Sequence, residues 1–221
     1  MRILLISATR MELAPVIDWL KERDNQVGDH LIIPGITGVG SLLTGWWLGR
    51  HMAEINPQLV IQAGVAGSFS AAWEPTQPLA VERDTIGDLG AWEASGFKSV
   101  FDLHLIHPDL PPFHQSWLIN PHQQLLQQTG LPLVASATVN QVTTREEDIH
   151  RLRSAGVKLE TMEGAAGHYA CLQAGIPFLQ IRTVSNAVGV RDKQEWQMAT
   201  AVRALNDYLI NWLPALKTNQ L

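Results

Sequence analysis

The residue types best able to do chemistry gather in two stretches near the C-terminus. Glu160-Thr161-Met162-Glu163-Gly164-Ala165-Ala166-Gly167-His168 sets a carboxylate at the start of a small-residue helix, and Ile181-Arg182-Thr183-Val184-Ser185-Asn186 ends a buried strand on a Ser-Asn pair. This combination suits a nucleoside. The Glu163 carboxylate can accept hydrogen bonds from vicinal ribose hydroxyls, and the Met162 thioether can pack on the sugar. An anion beside a sugar that is losing its base stabilises the oxocarbenium-like charge more than the neutral ground state. Asn186 cannot titrate, but its NH₂ offers two donors, enough for N7 and O6 of a 6-oxopurine, with Ser185 holding the amide in place. Each residue also has a plainer role: Glu163 favours a helix dipole, and Asn186 could simply satisfy a turn.

Nearer the N-terminus, Thr9-Arg10-Met11-Glu12 has the form of a capping box, in which Glu12 bonds back to the Thr9 amide. The same carboxylate could instead orient and deprotonate a water as a general base. Gly35-Ile36-Thr37-Gly38-Val39-Gly40 precedes a helix but has neither the dinucleotide glycine order nor a Walker lysine, which favours a tight turn over a phosphate loop. Gly64-Val65-Ala66-Gly67 is more informative, because it ends a strand, where ligands settle in open α/β sheets and small residues permit close approach. His104 and His107 stand three apart in a loop-like segment without a further convincing ligand, so no metal site is expected. Trp46, Trp47 and Trp212 fall on helical patterns and read as core or subunit interface. Trp92 and Trp196 are candidates for stacking on a ligand ring.

Buried-type strands and helical patterns alternate behind these residues. Residues 3–8 form an unalternated apolar run, as a strand covered on both faces would. Leu13, Val16, Ile17 and Leu20 follow at helical spacing, and a second helix, capped by Ser41, spans 41–55. A strand at 59–63 breaks into the Gly64–Gly67 turn. A polar, Pro- and His-rich middle, roughly 74–121, reads as short strands and loops around the site. Further strands are predicted at 132–139, 157–160 and 178–184, with helices at 144–155, 163–174 and 193–213. Thr144 to Glu147 is a second candidate capping box. The pattern predicts one α/β domain, 1–221, with a mainly parallel, mixed sheet flanked by helices.

Taken together, these residues resemble the nucleoside phosphorylase/nucleosidase superfamily. Its methylthioadenosine nucleosidases carry a Met-Glu helix start and a Ser-Asp pair in the same places, where this chain has Thr161-Met162-Glu163 and Ser185-Asn186. The segment Ser185-Asn186, Val188-Gly189, Arg191-Asp192 and Trp196 is similar to the futalosine hydrolases, as are Val139-Asn140-Gln141-Val142-Thr143-Thr144 and Asp88-Leu89-Gly90. The resemblance spans most of the chain. It implies a phosphorylase-like fold, no cofactor and a homo-oligomer. It also implies hydrolysis of the N-glycosidic bond of futalosine, or of aminodeoxyfutalosine, on the route to menaquinone; futalosine would give hypoxanthine and dehypoxanthine futalosine. By the same resemblance, Glu12 activates water and Asn186 stabilises the departing base. Val65, Ala66 and Gly67 line the nucleoside, and Val139, Asn140 or Gln141 face the base. Futalosine carries an aromatic carboxylate, which asks for a cation on the sugar's 5′ side. Arg191 and Lys193 are candidates, each equally accounted for by an ion pair with Asp192 or a solvated face. Two other readings stay open. One is a phosphorylase for inosine or guanosine, with Arg10 reaching phosphate; the other is a nucleoside-binding protein without catalysis.

Composition narrows the class. The chain has 221 residues, 46% hydrophobic and 17% charged, with a net charge of −5. That supports a sizeable core and offers no basic face for nucleic acid. One cysteine, Cys171, fits a reducing compartment. The apolar run that opens the chain is too short for a secretion signal, and no run approaches the ~20 residues that span a bilayer. A cytoplasmic enzyme without membrane or nucleic-acid partners is the expectation.

Overall fold

A computed structural model describes residues 1–70, 72 and 74–217. The first strand, β1 (Arg2–Ser7), alternates its side chains between two helical layers. Ile3 and Leu5 face α1 (Arg10–Lys21) and α6 (Met198–Trp212), where Leu13, Val16, Leu205 and Leu209 complete one core cluster. Leu4 and Ile6 face α2 (Ser41–Ile55) and α5 (Gly164–Ala174), against Leu48, Met52 and Cys171. A sheet sandwiched in this way needs apolar residues on both faces, which is why β1 reads as an unbroken hydrophobic run.

The remaining strands of the large sheet are β2 (Gln26–Val27), β3 (His30–Ile36), β4 (Leu59–Ser68), β5 (Pro78–Ile86), β8 (Leu118–Ile119), β9 (Leu133–Thr138), β10 (Leu159–Thr161) and β11 (Phe178–Ala187). β6 (Gly90–Glu93) and β7 (Gly96–Ser99) form a separate hairpin. The order is β10-β9-β5-β11-β4-β1-β3-β2, and β10 also pairs antiparallel with β4. That last pairing joins β4, β11, β5, β9 and β10 into a closed ring. Parallel ladders link β3, β1, β4 and β11, and again β5, β9 and β10, with antiparallel seams between β11 and β5 and between β10 and β4. The mainly parallel, mixed architecture expected from the sequence is present.

Several elements differ from expectation. Gly64–Gly67 is no turn: β4 runs on to Ser68, with Gly64 paired to Arg182 and Val65 to Thr183 of β11. β3 went unread because Pro34 interrupts its apolar run. The proline pairs opposite Leu5 beyond the short β2, on the sheet's edge, where no ladder bond from its nitrogen is needed. β5 was hidden by Glu82, Arg83 and Asp84, yet Asp84 is fully buried and accepts from the hydroxyls of Ser136 and Thr138. Gly40, not Ser41, caps α2, and the Ser41 hydroxyl donates to the Met162 carbonyl instead. The Thr144 box is not formed: α4 (Glu146–Ser154) starts after Arg145, whose guanidinium pairs with Glu147. The expected C-terminal helix divides into a 3₁₀ turn at Lys193–Glu195 and α6. A short helix, α3 (Gln123–Gln128), lies beyond the region read as polar loops.

Candidate active site

The carboxyl ends of β1, β4 and β11 and the β10–α5 corner converge on one cavity of about 210 Å³. Open α/β sheets bind ligands at this end of their strands. Glu12, Val65, Ala66, Gly67, Met162, Glu163, Ser185, Asn186 and Arg191 all line it.

Glu12 is buried in the first turn of α1, and both of its oxygens are committed. Oε2 accepts from the Thr9 amide and hydroxyl at 2.9 Å each, completing the capping box, while Oε1 accepts the Val65 amide of β4 at 3.1 Å. Cap and cavity wall are therefore the same carboxylate. Gly64 makes this possible. A Cβ there would lie 2.7 Å from Glu12 Oε1 and 2.5 Å from Arg182 Nη1.

Glu163 caps α5 from the far side of the cavity. Its Oε1 accepts the amide of Gly40 at 2.9 Å, so the glycine turn before α2 does contribute to the site. Gly40 has φ of 97°, a conformation suited to glycine, and this aims its N–H at the carboxylate. The Gln62 side chain fixes the corner by donating to the Glu163 carbonyl at 3.1 Å. Burial pushes the Glu163 carboxyl above its ordinary range, with Arg182 and the Gly40 amide opposing the shift and Glu12 adding to it.

Arg182 is the residue that sequence reading passed over. It is fully buried on β11, beside Gly64, and its charge favours the ionised form of Glu163. Its Nε reaches the Gln180 carbonyl at 3.2 Å when the Gln180 amide is oriented toward Asp84 and His168, the orientation that satisfies all three partners. His168 is itself fully buried, held below the usual histidine range by burial and bonded to the Leu118 carbonyl at 3.0 Å. Nη2 of Arg182 has no partner among the described residues. An arginine in the middle of an apolar strand was the available signal, because such a charge is buried only when it is paired.

The Ser-Asn pair sits on a β-bulge. Register between β11 and β4 shifts between Val184 and Asn186, leaving Ser185 as the extra residue. Bulges re-aim side chains beside active sites. Here the Ser185 hydroxyl donates to Asn186 Oδ1 at 2.9 Å, and Asn186 Nδ2 donates to the Ala187 carbonyl at 3.0 Å. With its oxygen held by serine, the amide offers one N–H to the cavity rather than the two expected.

Other expected residues are placed differently. Val139, Asn140 and Gln141 do not line this cavity: Asn140 and the Gln141 amide bind Asp88, while Val139 is buried beside Gly87. Val142, Thr143 and Glu160 stand there instead. The Val139–Thr144 segment thus reaches the cavity a few residues later than read. Arg191 is at the rim over the Trp196 ring, 5.5 Å from its centroid, but Lys193 is outside. Trp92 is also outside and stacks with Arg145. Arg10 is exposed on α1, 3.8 Å from Asp18, and does not line the cavity. Trp212 lies in the core, Trp47 is stacked on His51, and Trp46 is exposed. Among the described residues no cluster of metal ligands forms, and no helix is long and apolar enough to cross a membrane.

The family description "Phosphorylase superfamily" matches residues 30–211. The chain belongs to the phosphorylase superfamily. Within that superfamily it is similar to the futalosine hydrolase of Streptomyces coelicolor, 31% identical over 161 residues that cover 72% of this chain and 67% of the relative. The Acidothermus cellulolyticus futalosine hydrolase is 32% identical, covering 77% and 70%. Among solved superfamily folds, native futalosine hydrolase from Helicobacter pylori aligns with a TM-score of 0.80 at 16% identity, over 97% of this chain and 98% of that one. S-adenosylhomocysteine nucleosidase from Streptococcus pyogenes, in complex with 5-methylthiotubericidin, aligns equally well at 17% identity, over 99% and 98%.

Proposed function

We propose that the chain is an N-glycoside hydrolase acting on futalosine, releasing hypoxanthine and leaving dehypoxanthine futalosine. The observation that carries this reading is the pair of buried carboxylates, Glu12 and Glu163, facing one cavity whose other wall presents Asn186. The identity to futalosine hydrolases supports the choice of substrate and, through it, a place in menaquinone synthesis.

In this reading Met162 packs on the ribose and Glu163 accepts from its hydroxyls. As the C1′–N9 bond breaks, its electron pair moves onto the purine and positive charge develops on the sugar. Glu163 stabilises that charge, and Arg182 favours the ionised form of Glu163 against the effect of burial. Glu12 orients a water toward C1′ and takes its proton as the new C–O bond forms. The free N–H of Asn186 meets the negative charge at N7 or O6, and solvent supplies the proton that makes hypoxanthine neutral. Arg191, at the rim beside Trp196, is the candidate partner for the substrate's aromatic carboxylate.

Hydrolysis is favoured over phosphorolysis because a phosphate at C1′ would face two carboxylates, and Arg10 is turned to Asp18 on the surface. The test is base release from futalosine, inosine and methylthioadenosine with and without phosphate. Hypoxanthine release from futalosine that ignores phosphate supports the reading; a strict phosphate requirement with a sugar 1-phosphate product overturns it.

A homo-oligomer also belongs to this reading. The exposed face of α2 carries Leu42, Leu43 and Trp46 beside a groove of about 1010 Å³ lined mainly by apolar residues of α2, α5 and the 106–113 loop. Contiguous exposed apolar surface of this kind marks association sites, and sedimentation would report it.

A further inference from the structure

We propose that Glu160 reads the purine base, accepting the N1–H of a 6-oxopurine and repelling the N1 lone pair of a 6-aminopurine. This rests on the cavity being a nucleoside site. Glu160 is the central residue of β10, paired with Gly67 of β4, and lines the same cavity as Asn186. Both side chains flank the Gly67 backbone: Asn186 Nδ2 lies 3.5 Å and Glu160 Cβ 3.9 Å from where a Cβ on Gly67 would stand.

The carboxylate is buried, yet among the described residues it makes no ion pair. The Thr143 amide lies 3.1 and 3.3 Å from its two oxygens, and the Thr143 hydroxyl also bonds to it. A carboxylate has about four lone-pair sites, so acceptor capacity remains toward the cavity. The charges acting on it, Asp88 and Asp148, are acidic and oppose its ionisation, as burial does. Such an arrangement is costly for a residue that only holds a loop, where a neutral side chain could accept the same bonds. A ligand N–H supplies what the protein withholds. Asn186 donates where a 6-oxopurine accepts, and Glu160 accepts where it donates. Adenine has a lone pair at N1 and meets the carboxylate unfavourably.

The experiment compares kcat/KM for futalosine and its 6-amino analogue in the native protein and in Glu160→Gln. The variant should lower the futalosine-to-analogue ratio by about 10-fold or more, since the glutamine NH₂ can donate to N1 of the amino base. Equal losses on both substrates overturn the proposal and leave Glu160 as a support for Thr143. A second measurement needs neither the variant nor turnover. Hypoxanthine should bind the native protein at least ~10-fold more tightly than 1-methylhypoxanthine, which lacks the N1 hydrogen. Equal affinity overturns the role of Glu160 even if futalosine is cleaved. Selective hypoxanthine binding without cleavage of futalosine overturns the hydrolase reading and leaves Glu160 as the base reader.

Discussion

Glu12 ties the first helix to the Val65 amide: one oxygen of its carboxylate accepts that N–H at 3.1 Å, while the other closes the cap on Thr9. The two explanations for this residue are therefore not rivals. The cap holds the side chain in a single rotamer, and that rotamer is the one that faces the cavity. A base held in this way gives up little freedom when water binds.

Glu12→Gln should separate the two roles. One amide oxygen can keep one of these bonds, so the fold should lose only about 1 kcal/mol, the scale of a cap. Turnover should fall by ~10²-fold or more, the usual worth of a general base. Urea unfolding alongside single-turnover base release checks both; normal turnover would leave Glu12 as a cap alone.

Arg182→Met removes the buried cation whose charge favours the ionised form of Glu163. Breaking a buried charge pair from one side costs about 3–5 kcal/mol. Adding Glu163→Gln to that variant should recover part of the loss, because the stranded charge goes with it. Denaturant midpoints for the two singles and the double give the coupling, and simple additivity would show that the pair does not interact.

Asn186→Asp tests the base side. If ionised, the new carboxylate faces the O6 and N7 lone pairs of hypoxanthine, and futalosine turnover should drop by ~10²-fold or more. The 6-amino analogue should lose less or gain, with activity rising toward acid pH as the aspartate protonates and can donate to N7. The 5′ carboxylate is common to all four measurements and cancels. An unchanged base preference would show that position 186 does not read the purine.

Glu160 also makes stability depend on pH. Burial raises its folded pKa above the ordinary 4.5, so the folded chain holds this proton to higher pH than the unfolded chain does. Its contribution to stability therefore falls as pH rises through the window that opens near 4.5. Glu160→Gln cannot titrate, so the variant should gain on the native protein over the range of rising pH that starts near 4.5. Thermal midpoints for both proteins across that range check this, and a constant difference would contradict it.

Much of the architecture was legible because periodicity is a backbone property. The runs that became β1, β11, α1 and α2 carry it plainly. The misses share a cause: tertiary pairing overrode local signals. Gly64 and Gly67 suggest a turn until β11 and β10 are found alongside them. Asp84 suggests a loop until Ser136 and Thr138 supply its hydrogen bonds. In the site, Glu12, Glu163 and Asn186 could be named because they lie at or next to the ends of elements, where side chains face a ligand. Arg182 and Glu160 lie within strands, and only the closed ring of strands reveals which way they point. The loop residues 139–141 failed for the opposite reason. Nothing in that stretch fixes a register, and the contact of Asn140 with Asp88 is 52 residues away in sequence.

The bulge at Ser185 has a further consequence. In a regular strand, neighbours face opposite ways, and a serine could not hold the amide of the next residue. The extra residue puts both on one side, so the group that meets the base follows directly on an irregularity, where the ladder resumes with Asn186 opposite Gly67. Residue 186 can then vary in chemistry while the hydrogen bonds between β4 and β11 stay as they are. Substrate choice and fold are thereby uncoupled at that point, and one scaffold can acquire a different base preference without rebuilding its sheet.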